Sequence, residues 1–429
     1  MKRLSASDPG FEKAFRRIVD DRRASDEGVA GDVAAILARV KINGDAALSE
    51  YTHRFDDHQL TEDADWRIDL ADCKAAYDGL DATLRDALTL AADRIRAYHE
   101  KQLPVDRDET DASGVRLGAR WRPVDAAGLY VPGGRAAYPS SLLMNAIPAK
   151  VAGVERLTVV TPTPGGKTNQ LVLAAAHVAG VDEIWRIGGA QAIAALAYGT
   201  ARIRRVDVIT GPGNAWVAEA KRQLFGVVGI DMVAGPSEIL VIADGLNDPD
   251  WIAADLLSQA EHDPDAQSIL ITDDAAFAEQ VEDRVDVQCA MLATRKVARK
   301  SWDDHGLMIL VESLDQAIPL ANALAAEHVE LAVADPEPFV EGIRHVGSLF
   351  IGRMAPEAVG DYVAGPNHVL PTGRRARFSS GLSVLDFMKR TSFIEVDAAA
   401  LAAIGPAAAA LAHAEGLEAH ARSIELRLK

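Results

Sequence analysis

The sequence predicts an α/β protein with two units built on largely parallel sheets and a helical extension at each end. Short β-branched runs alternate with helical stretches from about Tyr130, and Gly or Pro follows each run. The alternation restarts at Ser237 and continues to about residue 352. Because 429 residues are too many for one hydrophobic core, the two series indicate separate units with a cleft between them.

The N-terminal region is expected to be mostly helical, beginning with a helical arm over residues 1–30. Apolar residues recur with helical spacing at Val33, Ile36, Leu37 and Val40. Asn43 and Gly44 follow them, as is usual where a helix ends. The helical pattern continues to about Phe55. We expect residues 31–129 to join residues 236–380 in a first α/β domain.

The predicted strands form two sets. The set within residues 130–235 reads RLTVVT, EIWRIGG and VDVITG, and it predicts a second α/β domain that would bind a cofactor. The other set begins at Ser237 and reads SEILVIAD, QSILIT, LMILV, VELAV and GSLFIG. Both sets alternate with helical segments, which is typical of parallel sheets.

Residues 381–429 predict a helical tail without a strand of its own. The tract AAALAAIGPAAAALAHA, from Ala398, is interrupted at Gly405–Pro406, which indicates a pair of soluble helices rather than a membrane span. The first residues of the chain lack the apolar core of a secretory signal. We therefore expect a cytoplasmic protein that does not enter a membrane.

Composition excludes several classes of function. The net charge of -18 argues against nucleic acid as a partner, because phosphate binding needs a basic surface. The only two cysteines, Cys73 and Cys289, lie far apart and cannot build a disulfide framework or a thiolate metal cluster. Neither lies beside a candidate site, so covalent thiol catalysis is disfavoured.

Candidate metal ligands are spread along the chain. Gln259 and His262 are three residues apart at the end of a predicted helix and therefore share a face. Asp361 and His420 would complete a nitrogen and oxygen set suited to Zn²⁺. Spacing alone leaves an alternative open, since a histidine at a helix end is also an ordinary cap or surface group.

Glu327 and His328 are adjacent proton acceptors between a predicted helix and a strand. Neighbouring side chains diverge in regular structure, so only an irregular junction lets both serve one pocket. Two bases of different strength suit a reaction with two successive deprotonations. The alternative is a solvated pair near the helix dipole. Sites in α/β sheets usually follow strands, whereas this pair precedes one, and a cleft between two units would resolve the conflict.

Two glycine-containing turns are candidates for binding a nucleotide. TGPGNAW, beginning at Thr210, and IGGAQ, beginning at Ile187, follow strands and precede helices, but neither has the complete dinucleotide fingerprint. Both place the N–H groups of a helix start at the carboxyl end of a strand, where phosphates commonly bind. Cofactor binding at these turns is consistent with the pattern.

Taken together, a set of motifs resembles the histidinol dehydrogenase family from about Tyr130 to the end of the chain. The motifs are AGLYVPGG, GGAQAIAALAYGT, GPGNAWVAEAKRQ, AGPSEILVIAD, LLSQAEHDPDAQ, EHVEL, GDYVAGPNHVLPTG and EGLEAHARSIELR. The resemblance implies two incomplete Rossmann-like units, as in aldehyde dehydrogenases, with helical N-terminal and C-terminal extensions. It also implies oxidation of L-histidinol through histidinal to L-histidine with two NAD⁺, the last step of histidine biosynthesis. Val233 departs from the family, in which proline is expected.

The resemblance implies a role for each matching residue. One Zn²⁺ per site would be held by Gln259, His262, Asp361 and His420. The substrate would contact these ligands and also Ser237, His328 and Glu415. NAD⁺ would contact Tyr130, Gln191 and Asn214. His328 would take the proton of the alcohol, and Glu327 would activate the water that hydrates the aldehyde. A homodimer would exchange tails, so that Glu415 and His420 complete the partner's site.

Three other functions remain open at this point. A related zinc and NAD dehydrogenase could oxidise a sulfonated diol such as sulfopropanediol, although the carboxylate of Glu415 would repel a sulfonate. A zinc hydrolase could use Glu327 as the base on a metal-bound water. A non-catalytic module could bind a ligand in the cleft without turnover.

Overall fold

The computed structural model describes residues 1–21, 28–133, 138–233 and 235–429. Part of the expected N-terminal arm, residues 22–27, and the motif residues Gly134 and Ala234 lie outside these ranges. The described part of the first 123 residues contains β1 (Lys2–Ser5), α1 (Phe11–Asp21), α2 (Ala30–Asn43), α3 (Asp45–Asp56), α4 (Asp63–Trp66), β2 (Arg67–Ile68), α5 (Leu70–Asp78), α6 (Ala82–Glu100), β3 (Arg107–Thr110) and β4 (Arg116–Pro123).

Strands and helices alternate through the rest of the chain. The middle part contains β5 (Ala126–Tyr130), α7 (Pro139–Ala152), β6 (Arg156–Val160), α8 (Gln170–Ala179), β7 (Glu183–Trp185), α9 (Gly189–Tyr198), β8 (Val208–Thr210), α10 (Ala215–Leu224) and β9 (Gly229–Ile230). The last part contains β10 (Glu238–Ala243), α11 (Pro249–Ala260), β11 (Gln267–Thr272), α12 (Ala275–Met291), α13 (Arg295–His305), β12 (Leu307–Leu310), α14 (Ala317–Leu324), β13 (His328–Ala332), α15 (Glu337–Gly342), β14 (Ser348–Ile351), α16 (Glu357–Tyr362), β15 (Met388–Glu395), α17 (Ala398–Ala414) and α18 (Glu418–Glu425).

Sheet A consists of six strands of the described chain in the order β1-β12-β11-β10-β13-β14, all parallel. Its chain order reverses between β10 and β13. Helices α1, α14 and α15 cover one face, and α11, α12 and α13 cover the other. The inner strands β10, β11 and β13 are buried on both faces, which explains why their sequences are largely continuous apolar runs rather than alternating ones.

Sheet B also contains six strands of the described chain, in the order β2-β7-β6-β5-β8-β9. All are parallel except the short edge strand β2. Chain order reverses at β5, because β6 and β7 lie on one side of it and β8 and β9 on the other. Helices α5 to α8 cover one face, and α2, α3, α9 and α10 cover the other. The predicted α/β class with parallel sheets is confirmed.

The N-terminal part of the chain packs differently from what the domain boundaries expected from the sequence imply. Residues 1–30 were expected to form a helical arm, but β1 pairs with β12 and α1 packs on sheet A. Residues 31–129 were expected to join residues 236–380, but α2, α3, α5 and α6 pack on sheet B. The amphipathic spacing of a helix shows which face is buried, not which sheet buries it. We propose that the domains follow the two sheets.

The C-terminal tail contains a strand that the sequence did not predict. Met388–Glu395 forms β15, which pairs along its whole length with β4, and β3 completes this three-stranded antiparallel sheet C. Most side chains of β15 are exposed, so its apolar pattern is weak. Its partner lies more than 260 residues earlier in the chain, and local patterning carries no information about such a pairing.

The alanine-rich tract of the tail is one helix rather than a pair broken at Gly405–Pro406. Pro406 lies inside α17 and removes one main-chain hydrogen bond without ending the helix. Gly405 gives room for the end of the chain, since a Cβ atom there would lie 3.2 Å from Leu428. No helix in the described part of the chain is long and apolar enough to span a bilayer.

Candidate active site

Glu327 and His328 lie at an irregular junction, as their adjacency required. Helix α14 ends at Leu324. The next residue, Ala325, has a left-handed φ of 45° that is uncommon outside glycine, and β13 begins at His328. Glu327 is 6% exposed and His328 is 4% exposed. The pair is therefore buried, and the alternative of two solvated residues at a helix end is wrong.

The main chain of Glu238 holds both side chains. Its N–H donates to Glu327 Oε2 at 2.9 Å, and its carbonyl accepts a hydrogen bond from His328 Nδ1 at 3.1 Å. This is possible because Glu238 begins β10, the strand that pairs with β13. A carbonyl can only accept, so Nδ1 carries the proton of the neutral imidazole. His328 Nε2 is therefore the nitrogen that can act as a base.

Burial shifts the pKa values of Glu327 and His328 in opposite directions. It lowers the pKa of His328 to about 4, although Asp361 and the Glu238 carbonyl oppose the shift. His328 is consequently neutral at physiological pH and can accept a proton. Burial raises the pKa of Glu327 well above its usual value, against the hydrogen bond from the Glu238 N–H. A carboxylate with a raised pKa is a stronger base once it is ionised.

Glu357 faces His328 and was missed by the sequence analysis. Its Oε1 lies 3.6 Å from His328 Nε2, and within the described chain neither atom has a hydrogen-bond partner. Glu357 and Asp361 are one turn apart in α16, and ligand atoms of both lie within 4.8 Å of one from His328. Burial, with the charge of Asp361, raises the pKa of Glu357 to about 8. The spacing of Glu357 and Asp361 was the signal available in the sequence.

His368 connects Asp361 to the sheet B unit. Its Nδ1 is 2.9 Å from the Asp361 carbonyl and 3.5 Å from Asp361 Oδ1, and its Nε2 is 3.4 Å from Ser141 Oγ in α7. Burial alone would raise the pKa of Asp361, but the hydrogen bond and the charge of His368 hold it below its usual value. A cavity of about 210 Å³ is lined by His328, Asp361 and His368.

Gln259 and His262 lie beside this group. Gln259 lies in the last turn of α11 and is 1% exposed. Neither polar atom of its amide has a hydrogen-bond partner in the described chain. A buried amide normally finds partners, so this one indicates a ligand. His262 is exposed just beyond α11, and its charge affects the pKa of both Asp361 and His328. Gln259, His262 and Asp361 thus offer nitrogen and oxygen donors that could hold Zn²⁺.

Glu415 and His420 are not brought to this site by their own chain. Both are exposed, at the end of α17 and within α18. Helix α18 packs against α17 and has no comparable contact with α11 or α16 in the described residues. Ser237 is partly exposed immediately before β10, next to the residue that holds the two bases. The expected ligand and substrate sets are therefore incomplete within one chain.

The three expected NAD⁺ residues lie at the carboxyl edge of sheet B. Tyr130 ends β5, is buried, and accepts the N–H of Gly189 at 3.2 Å. Burial raises the pKa of Tyr130 to about 12, so its phenol stays neutral. Gln191 is buried in the first turn of α9, and Asn214 caps α10 by accepting the Val217 N–H at 3.2 Å. In α/β sheets, nucleotides bind at this edge where strand order reverses.

Gly211 shows why glycine is needed in the turn after β8. Its φ is 112°, and a Cβ atom would lie 2.2 Å from the Tyr130 carbonyl oxygen. Asp231 Oδ2 accepts the Gly211 N–H at 2.9 Å, and Lys221 Nζ donates to the Gly211 carbonyl at 3.0 Å. Lys221 and Asp231 form a fully buried ion pair. Only glycine therefore lets the backbone of this turn approach β5 so closely.

Glu327 and His328 precede β13, and the cleft between the two sheets explains how they can still lie at a site. The bases lie at the amino ends of β10 and β13, whereas α7, which carries Ser141, follows the carboxyl end of β5. Contact between Ser141 and His368 places these two ends at one cleft. At the carboxyl end of β10, in contrast, Asp244 forms an ion pair with Arg353 at 2.7 Å.

Both cysteines are buried, which disfavours their reactive thiolate forms. Burial raises the pKa of Cys73 to about 11 and also raises that of Cys289. We expect Cys73→Ser and Cys289→Ser, separately and together, to leave turnover unchanged. Steady-state rates of soluble, folded protein are the measurement. A loss of more than about tenfold in the double variant would show that a thiol takes part, because loss of covalent catalysis has at least that size.

Known proteins resemble this chain over nearly its full length. The family model described as "Histidinol dehydrogenase" matches residues 20–428. The histidinol dehydrogenase of Zymomonas mobilis is 61% identical over 426 residues, which is 99% of each chain, and that of Rhodospirillum rubrum is 60% identical over 428 residues, covering 99% of this chain and 98% of the relative. The solved histidinol dehydrogenase of Elizabethkingia anophelis superposes with a TM-score of 0.93 at 35% identity, covering 100% of this chain and 98% of that one. The chain therefore belongs to the histidinol dehydrogenase family.

Proposed function

We propose that this oxidoreductase converts L-histidinol through histidinal to L-histidine with two NAD⁺, as the last step of histidine biosynthesis in the cytoplasm. The observation that carries the proposal is the pair of buried bases, Glu327 and His328, at the start of β13 and beside the start of its neighbour β10. Two oxidations of one carbon require two separate proton removals, and the site holds two bases of different strength.

His328 serves the alcohol oxidation. Its Nε2 takes the hydroxyl proton while one hydride leaves the substrate carbon, which yields the aldehyde. The hydrogen bond from Nδ1 to the Glu238 carbonyl keeps Nε2 unprotonated beforehand. NAD⁺, held near Tyr130, Gln191 and Asn214, would supply the hydride acceptor for each half of the reaction.

Glu327 serves the aldehyde oxidation. Its carboxylate removes a proton from water as the water adds to the aldehyde carbon, and the hydrate then loses the second hydride to become the acid. The Glu238 N–H fixes one carboxylate oxygen, which leaves the other to face water. Each half of the reaction consumes one NAD⁺, because each transfers one hydride, and the hydration of the aldehyde consumes one water. The protons that the two bases remove are released to solvent.

Gln259, His262 and Asp361 of one chain, with His420 of the other, would hold one Zn²⁺. The two unpaired amide atoms of buried Gln259 support this assignment. Zinc bound there would supply an anchor that orients the imidazole and amine of the substrate. Ser237 and Glu415 would contact the substrate, and a carboxylate at residue 415 suits its cationic amine.

We also propose a homodimer in which the tails are exchanged. Helices α17 and α18 pack against each other and keep Glu415 and His420 exposed on their own chain. Sheet C joins this helical pair to the body through strands with few buried side chains. Such an arm fits an element that packs against a second copy of the chain, with the two copies related by twofold symmetry.

The proposal is tested by following NADH formation from purified protein and L-histidinol, with and without a chelator. We expect two NADH per histidine formed, and loss of the activity on chelation with recovery on adding Zn²⁺. Turnover of an ester or amide without nicotinamide would indicate a hydrolase. Oxidation of sulfopropanediol in preference to histidinol would indicate the related dehydrogenase, and tight binding of histidinol without NADH would indicate a binding module.

A further inference from the structure

We infer that the buried ion pair of Glu238 and Arg374 positions both bases through the main chain of β10. The kinetic part of this inference rests on the proposed function. Neither residue reaches the cleft as a donor to substrate. Both act through Glu327 and His328, so they are positioning residues rather than catalytic ones.

One residue controls the geometry of two bases. The Glu238 N–H and carbonyl bond to Glu327 Oε2 and His328 Nδ1 respectively. A displacement of this single residue would loosen the carboxylate and the imidazole together. It would also release the bond that keeps the Nδ1 proton in place, so both neutral tautomers of His328 would become populated.

The side chain of Glu238 is the anchor. It is 0% exposed, and its Oε1 lies 3.1 Å from the NH1 nitrogen of Arg374, which is 2% exposed. Arg374 NH2 donates to Gln267 Oε1 at 2.8 Å, in the neighbouring strand β11. A buried ion pair adds little net stability compared with apolar residues of similar size, but it defines one geometry closely. Fixing position is therefore the role that suits this pair.

A second bond holds the same segment. Thr372 Oγ1 accepts the Gly235 N–H at 2.6 Å. Residues 372–374 therefore contact the chain on both sides of Ser237, at Gly235 and at Glu238. Arg374 itself has a φ of 67°, in the left-handed region. A side-chain-bearing residue keeps that conformation only where its surroundings hold it. The loop is thus braced against the start of β10 rather than lying loosely over it.

The test compares Arg374→Met, the double variant Glu238→Gln/Arg374→Met and a control, Arg353→Met. The double variant removes both charges of the pair and leaves neither one buried alone, so we expect it to fold even if Arg374→Met does not. Arg353→Met breaks the Arg353–Asp244 pair at the opposite end of the same strand β10, far from the bases. Kinetics with L-histidinol and with histidinal are measured together with ¹⁵N chemical shifts of the His328 ring, assigned with His328→Gln.

We expect both positioning variants to lose about 10- to 10²-fold in kcat for each half of the reaction, the size of effect that follows from misplacing reacting groups by about 1 Å. KM for NAD⁺ should stay within about twofold of wild type, since Tyr130 and Asn214 lie at the carboxyl edge of sheet B. His328 should show protonated Nδ1 in the wild type and a mixture of tautomers in the variants. Arg353→Met should match the wild type in kcat and in the His328 shifts.

Two results would overturn the inference. One is wild-type kcat and His328 shifts in a folded Arg374→Met protein. The other is recovery of kcat together with melting temperature in the double variant, which would reduce the pair to a structural role. If the wild type makes no NADH from L-histidinol, the proposed function fails. In that case the His328 shifts alone still decide whether Arg374 sets the tautomer.

Discussion

Replacing Glu327 with glutamine is expected to slow the oxidation of histidinal by about 10²- to 10⁴-fold, the usual contribution of a general base. Glutamine keeps the size of the side chain and can still accept the Glu238 N–H, but it cannot take a proton from water. The alcohol half should be less affected, because His328 Nε2 performs that deprotonation. Supplying histidinal directly and recording NADH isolates the affected half.

The pH dependence gives a second measurement on the same variant. A general base works only when ionised, and burial raises the pKa of Glu327 above its usual value. The rate of histidinal oxidation in the wild type should therefore rise with pH through the ionisation of Glu327, and Glu327→Gln should lack that limb. His328→Gln is the matched control, with its larger loss in the alcohol half. Undiminished histidinal oxidation by Glu327→Gln would remove the residue from the mechanism.

Mixing an Asp361→Ala chain with a His420→Ala chain is expected to restore activity that neither has alone. Each variant lacks one proposed metal ligand and should be nearly inactive. If tails are exchanged, a mixed dimer has one site in which all four ligands are intact. Random pairing makes half of the dimers mixed, so about a quarter of wild-type activity is the expected ceiling after refolding the mixture.

The control for this experiment mixes Asp361→Ala with Gln259→Ala. Asp361 and Gln259 both lie outside the exchanged tail, so each site takes both ligands from one chain. Every site in that mixed dimer therefore lacks one ligand, and no activity should return. Native mass spectrometry measures how many mixed dimers form. If the Asp361→Ala and His420→Ala chains form mixed dimers that remain inactive, the tail serves its own chain.

Local periodicity was enough for the central strands and for α2. The runs RLTVVT, EIWRIGG and VDVITG are β6, β7 and β8, and the five later runs are β10 to β14. Helix α2 ends at Asn43 and is capped by Gly44, which has a φ of 50°. Each of these features depends on residues within a few positions of one another. The unpredicted strand β15 depends instead on β4, which is distant in sequence.

The site residues show the same difference between features that nearby residues determine and features that depend on distant segments. The residue types Gln, His, Asp and Glu were evident in the motifs, and the structure brings His328 and Asp361 into one group, with the charge of His262 acting on both. The part played by Glu357 required the fold, because its contact with His328 joins α16 to β13. The same holds for Glu238, whose role lies in its main chain.

The sequence alone determined the class of fold, the helix and strand periods, and the identities of the candidate ligands and bases. It also led us to expect no thiol chemistry. The tertiary structure decided which sheet each N-terminal helix covers, which ends of the strands form the cleft, and which nitrogen of His328 carries its proton. The physical reason is the range of the interactions. Helical and strand patterns reflect hydrogen bonds and side-chain spacing over a few residues, whereas strand order, burial and a bond such as Glu238 to His328 arise only when segments about 90 residues apart pack together.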